Sequence, residues 1–205
     1  MGSLKNLLNI SMSGQHQSSY TSEVDFLELI AAVIHTQQPK SVVEFGILNG
    51  ASLLAMAREC DNNTSITAYD IFDEFTGNHA DKQTIETMFA GYKNVNVSYG
   101  DFFKQFAEIE DASLDLLHVD IANDGKVYGF CIDHYLPKVA PGGCILLEGG
   151  SAKRDAVPWM DKYGKPKIVP YLIQLAKRTD LDVRTFGIFP SITLVKRVKT
   201  AEANK

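Results

Sequence analysis

The stretch Ser41-Val42-Val43-Glu44-Phe45-Gly46-Ile47-Leu48-Asn49-Gly50-Ala51-Ser52 decides the fold. Apolar residues of β type run up to an acid, the chain turns through two glycines, and it leaves in Leu53 to Cys60, a segment of helical composition. That is a strand, a tight loop and a helix. In α/β proteins the first such turn is where a nucleotide-like ligand lies, because glycine admits backbone angles and close approach that a side chain forbids. The spacing here is Gly46-x-x-x-Gly50. A dinucleotide site wants G-x-G-x-x-G, with its second glycine against a pyrophosphate at the helix N-terminus. Asn49 stands where a smaller residue would serve a phosphate better, so this turn alone leaves the ligand open.

The bulk properties narrow the field. A chain of 205 residues suits one domain with a core that needs no staples. The composition, 45% hydrophobic and 22% charged, is that of an ordinary soluble globular protein. A formal net charge of -5 argues against a nucleic-acid footprint, which needs clustered Lys and Arg, and favours a small-molecule partner. Cys60, Cys131 and Cys144 are scattered without C-x-x-C spacing, which points to buried thiols in a reducing, cytoplasmic setting rather than to disulfides or zinc. Met1 to Gly14 lacks the long apolar core and cleavage site of a secretory signal, and no stretch is long enough to span a membrane.

Working outward from the turn, Ser22, Glu23 and Asp25 mark a helix start, with Leu27, Ile30, Ala31 and Ile34 as its apolar face and Pro39 as its end. Such a helix either closes over a ligand or packs on the sheet. Ser65 to Asp70 reads as a second strand ending in an acid. Asp70 follows Gly46 at close to the roughly 20 residues at which a βαβ carboxylate meets ribose hydroxyls. Asn94 to Tyr99 alternates as a third strand, followed by Gly100-Asp101-Phe102, where Asp101 either contacts a ligand or caps a helix. Leu114 to Val119 is an apolar fourth strand delivering His118 and Asp120 at its carboxyl end, with Asn123 and Asp124 in the loop beyond. Tyr128, Cys131, Ile132 and Tyr135 mark a helical face. Pro141-Gly142-Gly143 predicts a turn into a fifth strand, Cys144 to Glu148. Gly149 to Pro170 is long, polar and weakly periodic; with Arg154, Trp159 and Tyr163 it reads as a lid over a pocket. Ile168, Leu172 and Leu175 form a helix face, and Leu181 to Gly187 with Ser191 to Lys196 predict a final hairpin. Thr200 to Lys205 reads as a tail.

Taken together, E-F-G-x-x-x-G-x-S at Glu44, the acid Asp70 before Ile71-Phe72, the G-D step at Asp101, and the run from His118-Val119-Asp120 through Pro141-Gly142-Gly143 to Glu148 resemble the class I S-adenosylmethionine (SAM) methyltransferases, small-molecule and sugar O-methyltransferases in particular. The resemblance covers the central half of the chain and is most specific from His118 to Glu148. It implies an α/β, Rossmann-like seven-stranded methyltransferase fold over residues 1-205: a mostly parallel sheet with a C-terminal antiparallel hairpin, helices on both faces, an N-terminal helical segment at 1-38 and a substrate lid at 149-170. It implies SAM held by Glu44, Gly46, Asn49, Gly50, Ser52, Asp70, Ile71, Phe72, Asp101 and Phe102. Gly46 and Gly50 make room for its amino-acid end, Glu44 meets its ammonium, and Ile71, the residue just after the acid, packs on the adenosine.

In-line transfer from a sulfonium needs alignment and, for a hydroxyl acceptor, a base. Asp120 is the first choice, His118 the second, and Asp124 a third. Metal-binding members of the family add Mg²⁺, for which Asp120 and Glu148 are the ligands on offer. Two positions depart from the pattern: Asn123 replaces a frequent His, and Gly149 brings no side chain where an Asp or Asn is usual. An NAD-linked oxidoreductase and a non-catalytic SAM-binding module are the competing classes. The expected partner is a small-molecule acceptor, with no nucleic acid, no membrane, and a homodimer left open.

Overall fold

The computed structural model describes residues 25–74 and 80–198. Ser22 and Glu23 in the expected helix start and the tail from Thr200 lie outside the described residues. The helix α1 (Phe26–Gln37) is capped instead by Asp25, whose carboxylate accepts from the Leu27 and Glu28 amides. It ends where Gln38 turns left-handed one residue before Pro39. Its buried face is Ile30 and Ile34, with Phe26, Leu29 and Val33 beside them. Leu27 is exposed, because the helix meets the sheet on a stripe rotated from the predicted one.

After α1 the chain alternates strands and helices. β1 (Ser41–Phe45) leads through the glycine turn into α2 (Ala51–Glu59) and then β2 (Ser65–Asp70). α3 (Lys82–Phe89), capped by Asp81, precedes β3 (Val95–Tyr99). The one-turn α4 (Phe102–Gln105) precedes β4 (Leu114–Val119). α5 (Gly125–Phe130) then widens into a π-turn at Cys131–Tyr135 and leads to β5 (Val139–Glu148). Two short helices, α6 (Ala152–Asp155) and α7 (Pro158–Lys162), fill the polar stretch. They are followed by α8 (Val169–Leu175), β6 (Leu181–Phe186) and β7 (Ile192–Arg197).

The seven strands pair in the order β3-β2-β1-β4-β5-β7-β6, with β7 antiparallel to both β5 and β6 and the rest parallel. Strand order reverses between β1 and β4, and the crevice beyond their carboxyl ends is where ligands bind in such sheets. The expected Pro141-Gly142-Gly143 turn lies inside β5: while β4 advances from Leu114 to Leu116, β5 advances from Val139 to Cys144. The glycines form a bulge that absorbs the extra residues without ending the strand. A Cβ at Gly143 would come within 2.8 Å of the Asp115 carbonyl.

Alternation along the strands divides the core in two. Val43, Phe45, Leu117, Val119, Ile145 and Leu147 face α5 and α8, joined by Tyr128, Cys131, Tyr135, Ile168, Leu172 and Leu175. Val42, Ile66, Ala68, Leu116, Cys144 and Leu146 face α1, α2 and α3. Glu44 and His118 belong to this second face and are buried inside it. No helix among the described residues is long and apolar enough to cross a membrane.

Candidate active site

A cavity of about 520 Å³ opens at the carboxyl ends of β1, β2, β3 and β4. Gly46, Asp70, Ile71, Asp101 and Phe102 line one part of it, and Asp120, Asp124, Lys126 and Lys165 another. The sheet therefore brings together, from four separate segments, seven residues that the sequence assigns to a cofactor or to catalysis: Gly46, Asp70, Ile71, Asp101, Phe102, Asp120 and Asp124.

The acids are held by the backbone. Asp70 is almost fully buried, and its two oxygens accept from the amides of Ile47 (2.8 Å) and Phe72 (2.8 Å). It thereby ties the end of β2 to the glycine turn after β1. Phe72 has φ +48° and turns its ring into the second core, so Ile71 rather than Phe72 reaches the cavity. Asp101 caps α4 by accepting from the Phe103 amide and pairs with Lys104 at 2.9 Å. Burial works against its charge, yet Lys104 and that amide hold its carboxyl below the usual value. The two readings left open for Asp101, cap and cavity residue, describe the same side chain.

At the other end, Asp124 caps α5 by accepting from Lys126 and Val127, and it pairs with Lys165 at 3.5 Å. Asp120, one residue beyond β4, opens to the cavity. Its side chain is exposed there, and the protein packed around it raises its carboxyl above the usual value, with His118 and Arg154 pulling it back.

Other predicted residues lie away from the cavity wall. Glu44 and His118 form a buried pair across β1 and β4, Nδ1 to Oε1 2.9 Å, with the Ser52 hydroxyl donating to the same oxygen at 2.6 Å. Burial opposes charge on His118, but Glu44, by hydrogen bond and by charge, and Asp120 carry its pKa above 6.5. Asn49 accepts from the Ala51 amide at the start of α2. The side-chain direction of Gly50 faces Phe89, Ile85 and Met88 of α3, and that of Gly46 meets the Asp120 carbonyl at 2.0 Å. Both glycines have positive φ and sit where a side chain would strike neighbouring protein. Glu148 is bound to Arg154, and Asn123 donates from Nδ2 to the carbonyls of Val119 (2.9 Å) and Glu148 (3.0 Å), stapling β4 to β5.

Among the wall residues that sequence reasoning missed are Tyr69, Lys126 and Lys165. Tyr69 stacks on Phe45 at 5.2 Å and joins Phe102 in an aromatic side of the cavity. Its alternating strand position was the available signal. Lys126 lies over the Phe103 ring at 5.4 Å. Lys165 comes from the predicted lid, which is fastened down. The Gly125 amide donates to the Pro166 carbonyl (2.7 Å), and Asp155 accepts from the amides of Ile168 and Val169.

A seven-stranded sheet with β7 inserted antiparallel between β5 and β6, and a cavity at its reversal point walled by strand-end acids, defines a class I SAM-dependent methyltransferase. The family model described as a methyltransferase domain matches residues 43–148, and the chain belongs to that family. Among solved structures, the O-methyltransferase TomG from Streptomyces achromogenes, in complex with SAM, aligns with TM-score 0.64 and 16% identity over 95% of this chain and 89% of that one. The Bacillus cereus O-methyltransferase in complex with SAH aligns with TM-score 0.65 and 13% identity over 95% and 88%. A methyltransferase from Geobacter sulfurreducens aligns with TM-score 0.64 and 14% identity over 96% and 89%. No curated protein matches the sequence.

Proposed function

We propose that the chain transfers the methyl group of SAM to a hydroxyl of a small-molecule acceptor, with SAM lying from Gly46 to Asp101 and the acceptor at Asp120. The observation that carries this reading is one cavity whose two parts differ in chemistry: acids and aromatic rings toward β2 and β3, and Asp120, Asp124 and two lysines beyond β4. Asp70, fixed by two amides at the cavity wall, is a carboxylate of the kind that accepts from ribose hydroxyls. Ile71 and Phe102 provide apolar contact for the adenine, and Asp101 accepts from its amino group. The aromatic side at Phe45 and Tyr69 excludes water from the sulfonium.

In the reaction, the acceptor oxygen attacks the methyl carbon in line with the C–S bond. The O–CH₃ bond forms, the bonding pair stays on sulfur as S-adenosylhomocysteine (SAH) leaves, and Asp120 takes the hydroxyl proton. A carboxyl raised by the protein packed around it is a stronger base than one in water, which suits it to the task. TomG and the Bacillus cereus protein, which share the fold, are O-methyltransferases.

Calorimetry with SAM and SAH, followed by SAH production against a panel of hydroxylated acceptors, tests the reading. Absence of SAM binding would refute it. Asp120→Ala should abolish turnover and leave SAH affinity within about threefold, a change of under 1 kcal/mol; unchanged turnover removes Asp120 from the mechanism.

A further inference from the structure

The family resemblance carries an expectation of Mg²⁺ with Asp120 and Glu148 as ligands, and the residues at the ends of β4 and β5 do not fit it. Mg²⁺ takes oxygen ligands at about 2.1 Å in near-octahedral order, so each carboxylate ligand must turn a lone pair to the ion. Both Glu148 oxygens are turned elsewhere: Oε1 accepts from Arg154 Nε at 2.6 Å and Oε2 from Arg154 Nη2 at 3.0 Å. With both oxygens accepting from one guanidinium, the pair is a two-point fork.

That fork is itself anchored. Nη2 also donates to the Asn123 carbonyl at 3.2 Å, and the Trp159 ring lies against the guanidinium at 5.2 Å. The Arg154 side chain is 8% exposed, and its Nη1 is buried without a hydrogen-bond partner. A divalent ion beside Glu148 would face a fixed positive charge that the protein already encloses. The neighbouring donors do not compensate. Gly149 has no side chain, Asn123 is held by its Nδ2 on two carbonyls and offers only the neutral, unpartnered Oδ1, and among the described residues no three His, Cys, Asp or Glu side chains converge on one point.

We propose that the Arg154 guanidinium is the resident cation at the ends of β4 and β5, and that methyl transfer in this protein proceeds without a divalent metal. The proposal rests on the SAM-dependent reading above and adds what activates the acceptor. β4 and β5 pair in register up to Val119 and Leu147, so Asp120 and Glu148 leave adjacent strands at the same level. Arg154 neutralises Glu148 and leaves Asp120 to face the cavity. Arg154 is thus a positioning residue, and Asp120 is the group that takes the acceptor proton. The acceptor class changes with it. A metal site selects molecules with two adjacent oxygens to chelate the ion, whereas this site asks for one hydroxyl presented to Asp120.

The test uses the whole chain labelled with ¹⁵N and saturated with SAH. The Arg154 Nε–H resonance, assigned by its loss in Arg154→Lys or, should that variant not fold, by its displacement in Glu148→Gln, is followed as Mn²⁺ is added. The expected result is a resonance that persists at tenfold excess Mn²⁺ with no broadening beyond that of surface arginines. Selective disappearance of the Arg154 signal at stoichiometric Mn²⁺ places a metal at Glu148 and overturns the proposal. Failure of SAH to bind in the preceding calorimetry would instead remove the methyltransferase reading on which the proposal stands.

Discussion

Asp70 links the fold to the ligand cavity, and its removal separates the two roles. Its carboxylate accepts from the amides of Ile47 and Phe72, both at 2.8 Å, in a position almost closed to water. A hydrogen bond to a charged group contributes about 1.5–3 kcal/mol, and a buried amide left without a partner loses its hydration as well. Asp70→Ala should therefore destabilise the chain by about 4 kcal/mol. Against the roughly 5–15 kcal/mol by which domains are stable, that is a large fraction. For a domain of this size it corresponds to a fall in Tm of roughly 8–16 °C.

Asp70→Asn distinguishes shape from charge. The amide has the same outline, but only its oxygen accepts, so one of the two backbone donors must face an NH₂ group. Its Tm should fall by about half as much as that of the alanine variant, since one charge-assisted bond of the two is lost outright. In the proposed function both variants also weaken SAH, by about 10- to 100-fold, the equivalent of one charged hydrogen bond. Thermal denaturation followed by circular dichroism gives the first quantity and calorimetry the second. An Asp70→Ala variant that melts within 3 °C of the parent would refute the structural argument. One that is destabilised yet binds SAH as tightly as the parent when folded would refute the ribose contact and leave the structural role intact.

Three further outcomes are expected. The pKa of His118 is raised in the folded chain, so the stability it draws from Glu44 is fully present below 6.5 and is lost as pH rises through the folded value. The urea midpoint should fall across that window on the alkaline side, and His118→Gln should remove this part of the slope; an identical slope in the variant would show that another group is responsible. Asn123→Ala removes two buried hydrogen bonds between β4 and β5. It should lower stability by about 2–3 kcal/mol in urea titration, and a change below about 0.5 kcal/mol would contradict the stapling role. Gly46→Ala combines φ +91° with a Cβ 2.0 Å from the Asp120 carbonyl. It should part β1 from β4 at the cavity and abolish SAH binding, and retained affinity would mean that the turn can shift without loss.

The strand-end acids were legible because their signals are local. An apolar strand that ends in Asp marks its own carboxyl end, and parallel pairing then carries Asp70, Asp101 and Asp120 to one edge of the sheet. What local pattern cannot supply is the direction in which a loop turns a side chain. Ile71 and Phe72 are adjacent and both apolar, yet the positive φ of Phe72 sends one to the core and the other to the cavity. Glu44, Ser52 and His118 looked like site residues because they are polar amid apolar sequence. They bond to one another through Glu44 Oε1 because β1 and β4 lie side by side and α2 packs on that face, while Glu44 Oε2 stays buried without a partner. The Glu148–Arg154 fork was out of reach for a related reason. Its two residues are close in sequence, but the fork forms only because Asn123 and Trp159 arrive from either side to hold the guanidinium.

The glycine turn itself takes on a different meaning in the folded chain. Its glycines are the apparent sign of a ligand, since they leave room. The space a side chain would need at Gly46 is occupied by the Asp120 carbonyl, and at Gly50 it is narrowed by the Phe89 ring at 3.1 Å, with Ile85 and the Met88 sulfur at 3.5 Å. The Asp120 amide donates to the Phe45 carbonyl at 2.9 Å, and the Gly46 amide to the Tyr69 carbonyl at 2.9 Å. Three strands therefore converge on two consecutive residues, and only a residue without a Cβ fits between them. The proposed cofactor and acceptor positions are adjacent for this reason: Gly46 brings the end of β4 against the end of β1, so that Asp120 and Asp70 open into the same cavity. In the proposed function the turn sets that separation, and contact with the two substrates falls to the acids on either side of it.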